Sequence, residues 1–269
     1  AELLGEKLGA LPDVSSVEIA GPGFINLRLT EDSWRNELAA VGFNQFAFNN
    51  VGNPYDHSHI PFNCHPFEKE LIDRFGVIYG FSLDNIWGFL SHSGTDSNMH
   101  GLYMGRTILK NRAGVMPKIY FTKEAHYSIQ ILRDLLNLEW VVVGTLTDGS
   151  MDVADLERQL NAHPNHPALV VATIGTTFKG AIDPIDGIQS KLKGRTAYLH
   201  LDAALFGGYL PHTQFAADLL HEVSDPVSGK KQKRYDSIAV SFHHFLKIPP
   251  PAGLFITKQT NFELFRTQS

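Results

Sequence analysis

The residues best suited to chemistry in this 269-residue sequence stand in short polar clusters directly after apolar runs. Ser93-Gly94-Thr95 separates one such run from a helix-like stretch. Backbone N–H groups at a helix start, together with two hydroxyls, form a cup for a phosphate. The same small polar turn is also an ordinary helix cap. Asp202 closes the run Tyr198-Leu199-His200-Leu201 and precedes Ala203-Ala204. A carboxylate at the tip of a buried strand is costly unless something pairs with it. A protonated pyridine nitrogen is one such partner, and a cap on the following turn is the plainer account. His126, Thr173 and Ser241-Phe242-His243-His244 are further polar groups at the ends of apolar runs.

The elements that must position these groups follow from periodicity. Helical spacing runs through 67–79, 98–110, 127–136 and 152–160, with Asp152 as N-cap of the last. Strand-length apolar runs occupy 86–90, 118–121, 140–143, 168–174, 197–201 and 237–241. Helices alternating with strands that lack a polar face imply a mostly parallel sheet covered by helices on both sides. In such sheets ligands bind beyond the carboxyl ends of the strands, where the polar clusters fall. Upstream, 17–20 and 25–29 alternate around Gly21-Pro22-Gly23 and read as a β-hairpin. Residues 44–66, rich in Asn, Pro and His, read as loop.

Bulk properties narrow the function class. With 43% hydrophobic and 19% charged residues the chain has ordinary globular composition. The net charge of −5 does not suit a nucleic-acid binder. A single cysteine, Cys64, permits no internal disulfide and fits a reducing compartment, so a cytoplasmic location is expected. No apolar run approaches the roughly 18–20 residues of a membrane span, and no signal-peptide pattern opens the chain. A start at Ala1 reads as a processed or trimmed product.

In order and spacing the clusters are far more specific than any one alone. From about Asn49 to Thr257 the sequence resembles group II pyridoxal-phosphate (PLP) dependent amino-acid decarboxylases, in particular the histidine and serine decarboxylase branch. The matching segments are Asn50-Val51-Gly52-Asn53-Pro54-Tyr55, Phe67-Glu68-Lys69-Glu70, Trp87-Gly88 leading to Gly94-Thr95-Asp96-Ser97-Asn98, and His126-Tyr127-Ser128. They continue through Ala172–Asp183, His200-Leu201-Asp202-Ala203-Ala204-Leu205, Ser241-x-His243 and Pro250-Pro251-Ala252-Gly253. The resemblance implies an α/β fold, the large domain of fold-type-I PLP-dependent transferases. It implies roles as well. Ser93, Gly94 and Thr95 would hold the cofactor phosphate, with Ser241 and His243 completing that site. His126 would stack on the pyridine ring and Ala204 would pack under it. Asp202 would bond the ring nitrogen and keep it protonated. Thr173 would lie near the cofactor oxygen and the substrate carboxylate. Residues around Asn63, Cys64 and His65 resemble a segment near the substrate. A small amino acid, histidine or serine, is the implied substrate, and a homodimer the implied assembly.

Three features depart from the family pattern. Its motif reads Ser-x-His-Lys, with the lysine bonded covalently to PLP; here His244 stands at that position. Imidazole has no primary amine and cannot form the bond. Lys247 lies three residues further on, where a shifted loop would bring its amine back to the cofactor. A catalytically inactive homologue serving as a binding or regulatory subunit, an enzyme holding PLP without covalent attachment, and an engineered replacement all remain open. Second, the resemblance implies a smaller C-terminal domain that this sequence, ending at Ser269, does not contain. Third, residues 3–29, above all Ile19-Ala20-Gly21-Pro22-Gly23-Phe24-Ile25-Asn26-Leu27, resemble part of the N-terminal domain of arginyl-tRNA synthetases. Few positive charges and roughly 30 residues argue against an independent, tRNA-binding unit.

The organisation expected is therefore a short N-terminal segment, 1–35, and a PLP-binding large domain, 36–269. His57, His59 and His65 lack a Cys or acidic partner at metal-ligand spacing, so no metal is expected. Lys230–Arg234 reads as a solvated basic loop.

Overall fold

The computed structural model describes residues 2–20, 24–33, 52–58, 64–213, 223–224, 231–232, 235–245 and 252–267. Contacts divide the chain into two compact units, 1–50 with 60–63 and 51–59 with 64–269. The sequence reading sets its boundary at 35, and residues 36–50 lie outside the described ones.

In the first unit α1 (Glu2–Gly9) precedes the hairpin strands β1 (Val14–Ala20) and β2 (Phe24–Leu29). They pair antiparallel with Val17 opposite Leu27 and Ile19 opposite Ile25. The turn 21–23 lies outside the described residues.

The second unit is built on one seven-stranded sheet. Its elements run α2 (His65–Ile78), β3 (Trp87–Ser91), α3 (Gly94–Ala113), β4 (Lys118–Thr122), α4 (Tyr127–Leu135), β5 (Glu139–Val143), α5 (Val153–Ala162) and β6 (Ala168–Thr173). They continue with α6 (Ile185–Leu192), β7 (Ala197–Asp202), the two-residue strands β8 (Val223–Ser224) and β9 (Lys231–Gln232), β10 (Ser237–Ser241), α7 (Phe242–Phe245), β11 (Gly253–Thr257) and α8 (Gln259–Arg266). The strand order is β3-β11-β10-β7-β6-β4-β5. The stretch from β10 to β5 is parallel, whereas β11 pairs antiparallel with both β10 and β3. The sheet is thus mostly parallel, as its unbroken apolar runs imply.

Burial follows position in the sheet. Every residue of β6, β10 and β11 is buried, while edge strand β5 leaves Trp140 and Val142 exposed. Alternation along β6 sends Ala168, Val170 and Ala172 into one apolar cluster and Leu169 and Val171 into the other, so the sheet carries a core on each face. Helix α3 lies against the second face through Leu102, Met104, Ile108 and Leu109. It begins at Gly94, four residues earlier than its apolar spacing suggests, because Ser93 caps it by accepting the Asp96 N–H. Gly114, at φ 74°, ends it in the left-handed conformation glycine tolerates best. Asp152 caps α5 as expected, accepting the N–H groups of Ala154 and Asp155. Helices α6 and α8 escaped the sequence reading; both are short, at eight residues each.

Loop 52–58 is fastened to this unit by two side-chain bonds. The Trp87 indole N–H donates to Asn53 Oδ1 at 2.9 Å, and the Tyr55 hydroxyl to Asp73 Oδ1 at 3.1 Å. Among the described residues no helix is long and apolar enough to cross a membrane.

Candidate active site

At the carboxyl ends of β6, β7 and β10 the strand termini line a cavity of about 390 Å³. Register explains the convergence. Thr173 sits opposite Asp202 across β6 and β7, and Ala239, two residues before Ser241, sits opposite Asp202 across β7 and β10. All three polar side chains therefore share the sheet face that α3 covers.

The amino end of α3 closes one wall. The Gly94 N–H donates to Ser241 Oγ at 3.1 Å. A Cβ on Gly94 would meet the Ala204 methyl at 2.6 Å, so only glycine lets the helix start approach β7 this closely. The wall carries Ser93 and Thr95, whose side chains bear hydroxyls, and the amino end of the helix dipole. His126 caps α4, its Nδ1 accepting from the Ser128 N–H at 3.3 Å with the Ser128 hydroxyl 2.8 Å away. That arrangement leaves the ring proton on Nε2.

Asp202 is 4% exposed. Burial raises its proton affinity; a hydrogen bond from Asn98, the Ala204 N–H and the charge of His126 act in the opposite direction. No lysine or arginine is among the described residues lining the cavity, so nothing there supplies a permanent countercharge. The Thr173 hydroxyl is buried against the cavity with no hydrogen-bond partner among the described residues. Its backbone is fixed from behind: buried Asp183 accepts the N–H groups of Thr173 and Met151, each at 2.7 Å. Burial pushes the Asp183 carboxyl up to about 6.

At the far wall the ring of His243 lies 3.4 Å from Ser241 Oγ through Nδ1 and packs on His244 at 4.1 Å between centroids. The Tyr209 hydroxyl donates to the His244 carbonyl at 3.1 Å. Burial and the neighbouring charges of His243 and His126 lower the His244 proton affinity, which favours its neutral form.

Of the residues singled out from the sequence, Ser93, Gly94, Thr95, His126, Thr173, Asp202, Ala204, Ser241, His243 and His244 line this one cavity. Asn98, Ser128, Gly175, Thr177 and Leu205 line it too and were given no role. For Asn98 a signal existed: it lies one helical turn beyond Gly94, on the same face of α3. Cys64 and His65 begin α2 and do not line the cavity; Asn63 and Lys247 lie outside the described residues.

The conserved-domain model of pyridoxal-dependent decarboxylases matches residues 88–262, which take in the seven-stranded sheet apart from the first residue of β3. The chain belongs to the pyridoxal-dependent decarboxylase family. Among its relatives are a histidine decarboxylase of Acinetobacter baumannii, 31% identical over 245 residues, and serine decarboxylase 2 of Oryza sativa subsp. japonica, 33% identical over 229. The alignments cover 89% and 84% of this chain but 60% and 46% of those proteins, so the chain spans only part of their length. The crystal structure of L-methionine decarboxylase from Streptomyces sp. 590 has the same fold at TM-score 0.72, with 19% identity over 86% of this chain and 64% of that one.

Pyridoxal phosphate is the cofactor of the pyridoxal-dependent decarboxylases, and the cavity fits its non-covalent half. The partnerless Thr173 hydroxyl and the buried Asp202, which has no lysine or arginine beside it in the described lining, are what a ring oxygen and a ring N–H would satisfy. The Gly94 contact brings hydroxyls and helix amides to where a phosphate would rest. Covalent attachment at position 244 does not fit, because His244 offers an imidazole and no amine.

Proposed function

We propose that this chain is the cofactor-binding core of a PLP-dependent decarboxylase of a small amino acid, histidine or serine, and that it retains PLP through non-covalent contacts. The observation carrying this reading is the buried Asp202 carboxylate, set beside the partnerless Thr173 hydroxyl in a cavity without lysine or arginine among its described lining. Bound PLP supplies an electron sink for the pair left behind when CO₂ departs. Each residue then has a defined task. Asp202 accepts the ring N–H and holds the proton there. The first turn of α3, with Ser93, Gly94 and Thr95, binds the phosphate together with Ser241 and His243. His126 lies against one ring face and Ala204 against the other. Thr173 donates its hydroxyl to a cofactor oxygen or to the substrate carboxylate, fixing the angle at which CO₂ leaves.

The test is the absorption spectrum with added PLP, before and after borohydride, alongside CO₂ release from histidine and from serine. The expected result is saturable PLP binding that dialysis reverses and borohydride does not trap, with His244→Lys making it trappable. Trapping in the parent protein would show that a lysine reaches the aldehyde and would sink the non-covalent reading. His244 also favours a second reading, an inactive homologue that serves as a binding or regulatory subunit; PLP binding without CO₂ release would select it.

We further infer a cytoplasmic homodimer. The single cysteine suits a reducing compartment. Helix α4 presents Tyr127, Ile131 and Leu135, between 58% and 68% exposed, as an apolar stripe at i, i+4, i+8 spacing. Exposed stripes of this kind mark protein contacts.

A further inference from the structure

Behind Asp202 lies a buried chain of polar groups whose donors and acceptors can be assigned one by one. His200 stands two residues earlier on β7, on the same sheet face, and is fully buried. Its Nδ1 lies 2.7 Å from Ser237 Oγ on β10, and its Nε2 lies 2.9 Å from Asn98 Oδ1 on α3. Asn98 lines the cavity together with Asp202, and its side chain lowers the proton affinity of that carboxyl. An amide oxygen can only accept, so His200 Nε2 carries the proton and Nδ1 accepts the Ser237 hydroxyl. With its oxygen engaged by His200, the Asn98 amide has its NH₂ left to donate to Asp202. The reversed chain, with Asn98 Oδ1 facing Asp202 and NH₂ facing His200, places an acceptor against a carboxylate and suits only a protonated Asp202.

The geometry points to a positioning relay: we propose that Ser237, His200 and Asn98 hold the Asp202 carboxylate ionised and aimed into the cavity, so that the ring nitrogen of bound PLP stays protonated. This rests on the reading above as far as PLP is concerned, but the order of donors is a property of the protein alone. Burial pushes His200 down to about 3, in keeping with a ring that stays neutral and holds a single proton. Helix α3 makes room for that ring at Gly101, where a Cβ would come within 2.3 Å of it.

Two measurements test the relay. The first is the His200 tautomer, from long-range ¹H–¹⁵N correlations of the ring in ligand-free and PLP-loaded protein at neutral pH. The relay requires the proton on Nε2 in both; a proton on Nδ1 overturns it. The second is PLP affinity and the ¹⁵N shift of ring-labelled PLP in His200→Phe, His200→Gln and Asn98→Leu. Loss of a hydrogen bond to a buried charge weakens PLP binding by roughly ten- to a hundredfold. His200→Phe and Asn98→Leu should show that loss, with the ring nitrogen moving toward its unprotonated shift. Glutamine has one donor and one acceptor to replace the imidazole pair, so His200→Gln should keep both affinity and shift near the parent values. Parent-like affinity and shift in Asn98→Leu and His200→Phe overturn the proposal; should one variant not fold, the other and the parent tautomer still decide it. A parent protein that binds no PLP refutes the proposed function, while its His200 tautomer still judges the relay.

Discussion

At the scale of single residues, the cavity works by leaving polar groups incompletely answered. The Thr173 hydroxyl is buried with no hydrogen-bond partner among the described residues, and the buried Asp202 carboxylate has no lysine or arginine beside it in the described lining. Asp183 is the opposite case, a buried carboxylate with two strong backbone donors that it uses to hold Thr173 in place. Its burial also makes stability depend on pH. Burial raises its folded value to about 6, above its ordinary 3.8. Between these values the folded state keeps a proton that the unfolded chain has released. The stability Asp183 contributes is therefore full below its ordinary value and is lost as pH rises through about 6, by roughly 1.4 kcal/mol per unit. Urea unfolding of the parent and Asp183→Asn from pH 4 to 7 should show the parent losing stability relative to the variant across that window. A constant difference between the two would remove Asp183 as its source.

The residues most open to sequence reading were those whose identity carries the chemistry. Asp202 after an apolar run and Ser-Gly-Thr before a helix each allow a plain capping role when alone; together with Ser-x-His after a strand, their order and spacing carry the resemblance that assigns them roles. The spacing of Asn98 from Gly94 hints that it faces the site, but its pairing with His200 was opaque because it exists only in combination. Each is an ordinary polar residue in its own element, and only the packing of α3 across β7 and β10 makes them neighbours.

At the scale of elements, helix α3 places more of the site than any other. Its first turn forms one wall, and its buried face carries both Asn98 and the gap at Gly101. A methyl at Gly101 would press on His200 Cε1 and Nδ1 at 2.3 and 2.4 Å. That ring is bonded at both nitrogens and cannot turn aside. Gly101→Ala should cost about 1–3 kcal/mol of stability through overpacking. It should also weaken PLP binding, although residue 101 does not line the cavity. Chemical denaturation and a PLP titration on the same preparation check both effects; unchanged affinity with reduced stability would confine Gly101 to packing. The parallel part of the sheet was legible because its strands are apolar on both faces. The antiparallel placement of β3 and β11 was not, since a strand buried on both faces reads the same in either direction. Capping explains the early start of α3: periodicity marks where a helix buries apolar residues, whereas Ser93 decides where it begins.

At the scale of the whole molecule, the sheet and its helices satisfy their apolar surface unevenly. Strands β6, β10 and β11 are wholly buried, but β5 at one edge exposes Trp140 and Val142, and α4 exposes Tyr127, Ile131 and Leu135. Helix α4 buries its other side through Ser128, Ile129 and Leu132, so the exposed stripe is extra to what the core of this unit uses. If it is the contact between two copies, charge placed at its centre must break the pair without touching the cavity. Ile131 is 58% exposed, and Ile131→Glu introduces a carboxylate where association would desolvate it. Light scattering on a size-exclusion column should give a dimer mass for the parent and a monomer mass for the variant, with unchanged thermal unfolding of the monomer. A variant that remains dimeric would place the contact elsewhere, whereas a monomeric parent would leave the stripe free for a different protein. The outcome also bears on the site, since α4 begins directly after His126. A partner seated on Tyr127 would stiffen the turn that holds the His126 ring, and PLP affinity should then rise with protein concentration in the parent and stay flat in Ile131→Glu.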